Sequence, residues 1–263
     1  MTDTPKWWEL PWTIIDFETT GTDVETDRAV QVAAVEIIPD EGVTNSLCHI
    51  IDPGVEIPEA AAAIHKITTE RARAEGVEPA HVIKAVAELV ESAWREGRPV
   101  IAFNAPFDLT LLDRELRRHH GRGLDVSGAL VLDPLLIDRV CDTYRKSGKE
   151  GRTLGALAAH YGVRQDVAHD ALADVLTTAR VLWRQPRIKA TEAPGSYGRK
   201  RKLDYSPLRV LSLPELHAWQ VAGCAAWAAH LQDYYRTKAN PRQPGAVVDG
   251  SWPFRPARSE VTA

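Results

Sequence analysis

The stretch Thr13–Asp23, TIIDFETTGTD, decides the fold. It begins as a β-branched apolar run, ends in turn residues, and carries two acids, Asp16 and Glu18, on either side of Phe17. Residues two apart on a strand share a face, so the two carboxylates lie side by side in a segment that otherwise reads as central sheet, where acids are depleted. Like charges held that close repel, and a buried acid needs a counter-charge. The pair points to a bound cation.

Outward from this strand, WTIIDF (12–17), RAVQVAAVEIIP (28–39) and SLCHIID (46–52) are separated by the turn-rich TTGTD and PDEGVTN, which predicts an antiparallel meander. EPAHVIKAVAELVESAWREG (78–97) has helical spacing, with Gly97 as its stop. RPVIAFN (98–104) reads as a buried strand and APFDLTLLDRELRRHH (105–120) as a helix with Asn104 as N-cap. ALVLDPLLIDRVCDTY reads as a strand running into a helix, RKSGKEG (145–151) as a loop, and TLGALAAHYG and HDALADVLTTARVLW as further helices. A meander followed by alternating strands and helices predicts an α/β domain on a mixed sheet.

That body is expected to close near residue 186, because Pro186 and TEAPGSYGRKRK break the periodic pattern. Residues 187–211 then read as a basic linker and 212–263 as a long helix followed by a Pro-rich, extended tail. Ser212 is the expected N-cap of that helix, with Pro214 in its first turn. Trp219 and Trp227 share a stripe with Ala222, Ala226 and His230, suited to packing on the body or to binding a partner such as a polymerase.

Composition is that of a globular protein: 263 residues, 44% hydrophobic and 26% charged. Cys48, Cys141 and Cys224 are scattered, which indicates neither a disulfide framework nor a thiolate metal site. No apolar run approaches the roughly 20 residues a membrane span needs, and MTDTPKWWELPW lacks the plan of a signal peptide, so a cytoplasmic protein without membrane contact is expected. The net charge of −4 conceals an asymmetry: 20 Lys+Arg against 30 Asp+Glu over residues 1–186, and 12 against 6 over 187–263. An acidic body with a basic tail suits a site that binds cations first and a polyanion second.

Two further acids matter. Asp108 falls in the first turn of the helix after VIAFN, where a carboxylate alone reads as a dipole partner. Asp174 falls among Ala171, Ala173, Val175 and Leu176, in a packed neighbourhood. Four oxygen donors without thiolates favour Mg2+ or Mn2+.

DFETTG (16–21), NAPFD (104–108) and HDALAD (169–174), in that order, resemble the three motifs of the DEDDh, or DnaQ-like, 3′–5′ exonucleases, and AIHKIT (63–68) resembles a fourth family segment. That family includes the proofreading epsilon subunit of bacterial DNA polymerase III, RNase T and oligoribonuclease. The resemblance covers about residues 12–184 and implies the RNase H-like fold, a mixed five-stranded sheet flanked by helices, here with a C-terminal helical extension. It implies that Asp16, Glu18, Asp108 and Asp174 hold two Mg2+ or Mn2+ ions and that His169 is the general base. It also implies that Thr19, Thr20 and His65 meet the terminal nucleotide. Phe17, Asn104 and Phe107 would line the base pocket, with core packing as the alternative for the two aromatics. The chain departs from the family at Phe103, where His is common, and at Lys66, where Gly is common.

Five residues at 100° each turn His169 about 140° from Asp174, so His169 belongs in a loop or frayed turn with Asp170 as N-cap. The expected activity is metal-dependent release of nucleoside monophosphates from 3′ ends of single-stranded DNA, in proofreading or repair. The alternatives are an exoribonuclease similar to RNase T or oligoribonuclease, and a polymerase-associated binding subunit. GRKRK (198–202) reads as a phosphate contact or a solvated linker.

Overall fold

The computed structural model describes residues 5–143, 145, 151–166, 168, 170–189, 191–194, 200–237, 245 and 247–257. The meander is present: β1 (Trp12–Thr19), β2 (Ala29–Ile38) and β3 (Gly42–Ile50) pair antiparallel, with Phe17 opposite Val32 and Gln31 opposite Ile50. Two short helices follow, α1 (Glu59–His65) and α2 (Thr69–Glu75), and then the long α3 (Pro79–Arg95). Next come β4 (Val100–Ile101), α4 (Ala105–His120), β5 (Val131–Leu132) and α5 (Pro134–Cys141). β4 runs parallel to β1 and β5 parallel to β4, completing a mixed sheet in the order β3-β2-β1-β4-β5. The helices α6 (Leu154–Tyr161) and α7 (Ala171–Arg184) complete this part of the chain.

Alternation along β1 divides the core. Ile15 and Phe17 pack with α3 and α4 on one face, including Val86, Leu109 and Leu112. Trp12 and Ile14 pack on the other with Leu157, Val175 and Leu182. β4 meets β1 at Thr13 and Ile14. Beyond Ile14 that side of β1 is open, and the start of α4 reaches into the gap.

The segment expected as a linker contains the hairpin β6 (Thr191–Pro194) and β7 (Lys200–Leu203), then the short α8 (Pro207–Val210). Tyr205 and Leu208 are both fully buried in the second apolar cluster. The expected C-terminal helix is α9 (Leu213–Thr237), and Glu215 accepts both the backbone N–H and the hydroxyl of Ser212 at 2.7 Å. Leu213, Leu216, Gln220, Cys224 and Ala228 form its buried stripe, at the spacing of one helix face. Trp219 packs half-buried on the second cluster, and Trp227 carries the Arg139 guanidinium 4.1 Å from its ring centre. The tail beyond α9 returns to the body: Trp252 is buried beside His217, and the Arg255 N–H donates to Thr110 Oγ1 at 2.9 Å.

α9 also closes the margin of the sheet. His217 Nδ1 accepts the Val131 N–H at 3.1 Å, Gln220 Nε2 donates to the Val131 carbonyl at 3.0 Å, and Gln220 Oε1 accepts the Asp133 N–H at 2.8 Å. Side chains here replace the missing neighbouring strand. Gln220→Leu strands a buried carbonyl and a buried N–H, each at about 1–3 kcal/mol. Urea denaturation should show a loss of about 3 kcal/mol with an unchanged m-value.

Asn104 requires a correction. It stands at the N-cap position of α4, but its φ is 68° and its side chain makes no capping bond. An N-cap side chain reaches the helix N–H groups from an extended backbone, and a left-handed one aims it elsewhere. The carboxylate of Asp133 does this work from the end of β5, accepting the N–H of Asn104 and of Ala105, both at 3.1 Å.

Candidate active site

Asp16 and Glu18 point from β1 toward α7, and Asp174 meets them from the first turn of that helix. One oxygen from each of the three lies within 4.8 Å of the others. Gln31, opposite Glu18 in the sheet, holds α7 to β2 by accepting the Ala171 N–H at 3.4 Å. Asp170 caps α7 by accepting the Ala173 N–H at 3.1 Å, as expected. Asp108 enters from the opposite side: it is buried, and its Oδ1 accepts the Phe17 N–H at 3.1 Å in the gap that β4 leaves open.

The electrostatics are one-sided. Burial first, then the charges of Asp108, Glu18, Asp174 and Asp170, push the Asp16 carboxyl well above its ordinary value. Burial, then Asp174 and Asp170, push Glu18 up to about 7. Burial is also the largest cause raising Asp108, opposed by the N–H groups of Phe17 and of Asp108 itself. Every influence acting on Asp16 and Glu18 disfavours their charged forms. Carboxylates packed in this way become stable as anions when a dication joins them. The donor set is all oxygen, which fits a hard divalent metal ion.

The structure thus brings Asp16, Glu18 and Asp174 together, with Asp108 adjoining through Phe17. His169 lies outside the described residues, directly before the cap Asp170. Thr19 is half-buried and its hydroxyl donates to the Gly21 carbonyl at 2.5 Å. Thr20 is buried: its hydroxyl donates to Asp27 at 2.9 Å and accepts the Arg28 N–H at 3.0 Å, bracing the β1–β2 loop. Gly21 fits that brace, since a Cβ there would lie 2.5 Å from the Asp27 carboxylate. His65 ends α1, buried, with Nδ1 accepting the Ile67 N–H at 3.2 Å. Phe17 sits in the core at 5% exposure, whereas Asn104 is exposed and Phe107 half-buried, its ring 5.7 Å from the Arg255 guanidinium.

Sequence reading missed Asp133 and Gln31. The signal for Asp133 was present: an acid directly before Pro134 at the end of an apolar run is a helix cap.

The exonuclease family that includes RNase T matches residues 13–182. A DNA polymerase III subunit epsilon-like protein of Rhodobacter capsulatus is 33% identical over 187 residues, 69% of this chain and 25% of its own length. The 3′-5′ exonuclease DinG of Bacillus subtilis is 30% identical, over 64% of this chain and 17% of its own. The chain therefore spans about a quarter or less of these relatives. Among solved structures, E. coli Exonuclease I in complex with a dA16 oligonucleotide superposes with a TM-score of 0.58 at 23% identity, covering 68% of this chain and 42% of that one. That likeness concerns the fold, a mixed five-stranded sheet flanked by helices of the RNase H-like type.

Proposed function

The chain belongs to the RNase T exonuclease family, and from that premise we propose that it is a metal-dependent 3′–5′ exonuclease releasing nucleoside monophosphates from single-stranded DNA. The observation that carries this reading is the convergence of Asp16, Glu18 and Asp174 within 4.8 Å. With Asp108 they would hold Mg2+ or Mn2+, two ions per site, which when bound neutralise the scissile phosphate and acidify water.

The chain's own residues divide the remaining work. His169 takes the proton of the attacking water, imidazole being suited to this near neutral pH. Asp170 fixes the helix start between His169 and Asp174. Asn104 and Phe107 flank Asp108 closely enough in sequence to meet the terminal base, and base stacking tolerates any sequence. Thr19 and His65 hold the terminal nucleotide, while Thr20 keeps the loop beneath it in place. Relatives named for DNA polymerase III support a proofreading or repair setting with a polymerase as partner. Among the described residues no helix is long and apolar enough to cross a membrane.

The test uses DNA and RNA oligonucleotides of equal sequence, labelled at either end, with Mn2+ or with EDTA. DNA should shorten from its 3′ end in single-nucleotide steps, and EDTA should stop it. Internal cuts or 5′ shortening would overturn the reading, and faster decay of RNA would turn it to the exoribonuclease alternative.

A further inference from the structure

Asp108 stands in the first turn of α4, so its position depends on where that helix begins. The ordinary device for fixing a helix start, a side-chain cap on the preceding residue, is absent here because Asn104 makes no such bond. The carboxylate of Asp133 stands in for it. This carboxylate is 2% exposed. Its Oδ2 accepts the Ala105 N–H at 3.1 Å, and its Oδ1 accepts the N–H groups of Asn104 at 3.1 Å, Leu135 at 2.9 Å and Leu136 at 3.3 Å. One side chain thus joins the N-termini of α4 and α5, where helix dipoles favour an anion. Its backbone N–H is held in turn by Gln220 Oε1 of α9 at 2.8 Å. The connected path runs from α9 through Gln220, Asp133 and the first turn of α4 to Asp108, whose Oδ1 then meets the Phe17 N–H at 3.1 Å, between Asp16 and Glu18.

We propose that Asp133 is a positioning residue for the nuclease centre, setting the start of α4 so that Asp108 faces the metal-binding acids, and that Gln220 of the C-terminal helix holds Asp133 in place. The inference rests on the reading of Asp108 as a metal-holding residue. The bonds from Asp133 N–H to Gln220, from Ala105 N–H to Asp133 and from Phe17 N–H to Asp108 are short, directional and buried, so none has water as a substitute partner. Residues that orient metal ligands in this manner typically change metal affinity or activity by about 10–100-fold when altered.

Asp133→Asn is the discriminating substitution. An asparagine keeps the shape and can keep the Oδ1 bonds to Asn104, Leu135 and Leu136, but its Nδ2 places a donor against the Ala105 N–H. The first turn of α4 must then shift while the rest of the fold retains its contacts. Tyr205→Phe serves as the structural control. It removes a buried hydroxyl bonded to Tyr161 at 2.7 Å and to Asp138 at 3.4 Å, in a network separate from the acids.

Mn2+ binding by calorimetry and single-strand hydrolysis are measured on the full chain for wild type, Asp108→Ala, Asp133→Asn, Gln220→Glu and Tyr205→Phe. Asp133→Asn should weaken Mn2+ binding and lower kcat, each by about 10-fold or more, with KM within about 2-fold of wild type. Gln220→Glu keeps an acceptor for the Asp133 N–H and loses the donor to Val131, so it should move both quantities the same way by less. If Asp133→Asn does not fold, Gln220→Glu decides by the same criterion. Wild-type Mn2+ affinity and kcat in the folded variant, or equal losses in Tyr205→Phe, would overturn the role of Asp133 and leave the nuclease reading standing. Wild-type binding and turnover in Asp108→Ala would overturn the reading of Asp108 and this inference with it.

Discussion

On the proposed function, Asp16→Asn should abolish strand degradation and, in the same protein, raise the melting temperature measured in EDTA. The two effects share one cause. Asp16 is half-buried and surrounded by Asp108, Glu18, Asp174 and Asp170, all of which disfavour its ionised form. At neutral pH the metal-free protein must bear either that charge or the proton that removes it. Asparagine has nearly the same shape and no charge, so the substitution relieves repulsion at little packing cost. A gain of about 1 kcal/mol corresponds to roughly 2–4 °C at this chain length. Catalysis moves the other way, because an amide is a poor ligand for a hard dication, and transition-state charge stabilisation worth several kcal/mol goes with it. Hydrolysis should fall by roughly 1,000-fold or more. Excess Mn2+ should reverse the order of melting temperatures, since wild type gains binding energy that the variant lacks. A variant that is less stable than wild type in EDTA, or that still degrades DNA, would remove the repulsive cluster from the account.

The second large effect is a pH-dependent exchange of protons for metal. Glu18 is raised from 4.5 to about 7, and Asp16 and Asp108 are raised as well. A carboxyl whose folded pKa is raised binds its proton more tightly in the native state than in the unfolded chain. Its contribution to stability is therefore complete below about pH 4.5 and lost as pH climbs through 7. Scanning fluorimetry in EDTA should show the melting temperature falling across that window. Mn2+ should restore it at pH 7.5, by about 2.7 kcal/mol at 100 times the dissociation constant. It should do little at pH 5, where the ligands are protonated. Glu18→Gln should flatten the EDTA profile. A profile that rises with pH between 5 and 7 in wild type would refute the assignment of these acids as mutually repelling.

The parts of this molecule legible in sequence are those written in local pattern. The β-branched apolar run WTIIDF gave the central strand, the two-residue spacing gave the shared face of Asp16 and Glu18, and the ordered motifs brought in Asp108 and Asp174. α1 and α2, EAAAAIH and TERARAE, are too short for a helical period to emerge. Asn104 was read from the preference of its residue type, but that preference says nothing of φ, and at 68° the side chain does not cap. Asp133 before Pro134 is legible as the cap of α5, but its hold on α4 is not, because those two donors lie nearly 30 residues upstream and Gln220 far downstream. The basic composition of 187–211 suggested solvent, whereas Tyr205 and Leu208 in that segment are fully buried in the core.

The closure of β5 by α9 has a consequence for how the chain is made. Asp16 and Glu18 leave the ribosome roughly 200 residues before Gln220, which at 5–20 residues per second is about 10–40 s. Through that interval the nascent sheet has β1 with its paired acids but neither the bolt on its far margin nor the brace behind Asp108. The hold of Asp133 on the first turn of α4 is thus completed only once α9 has been made.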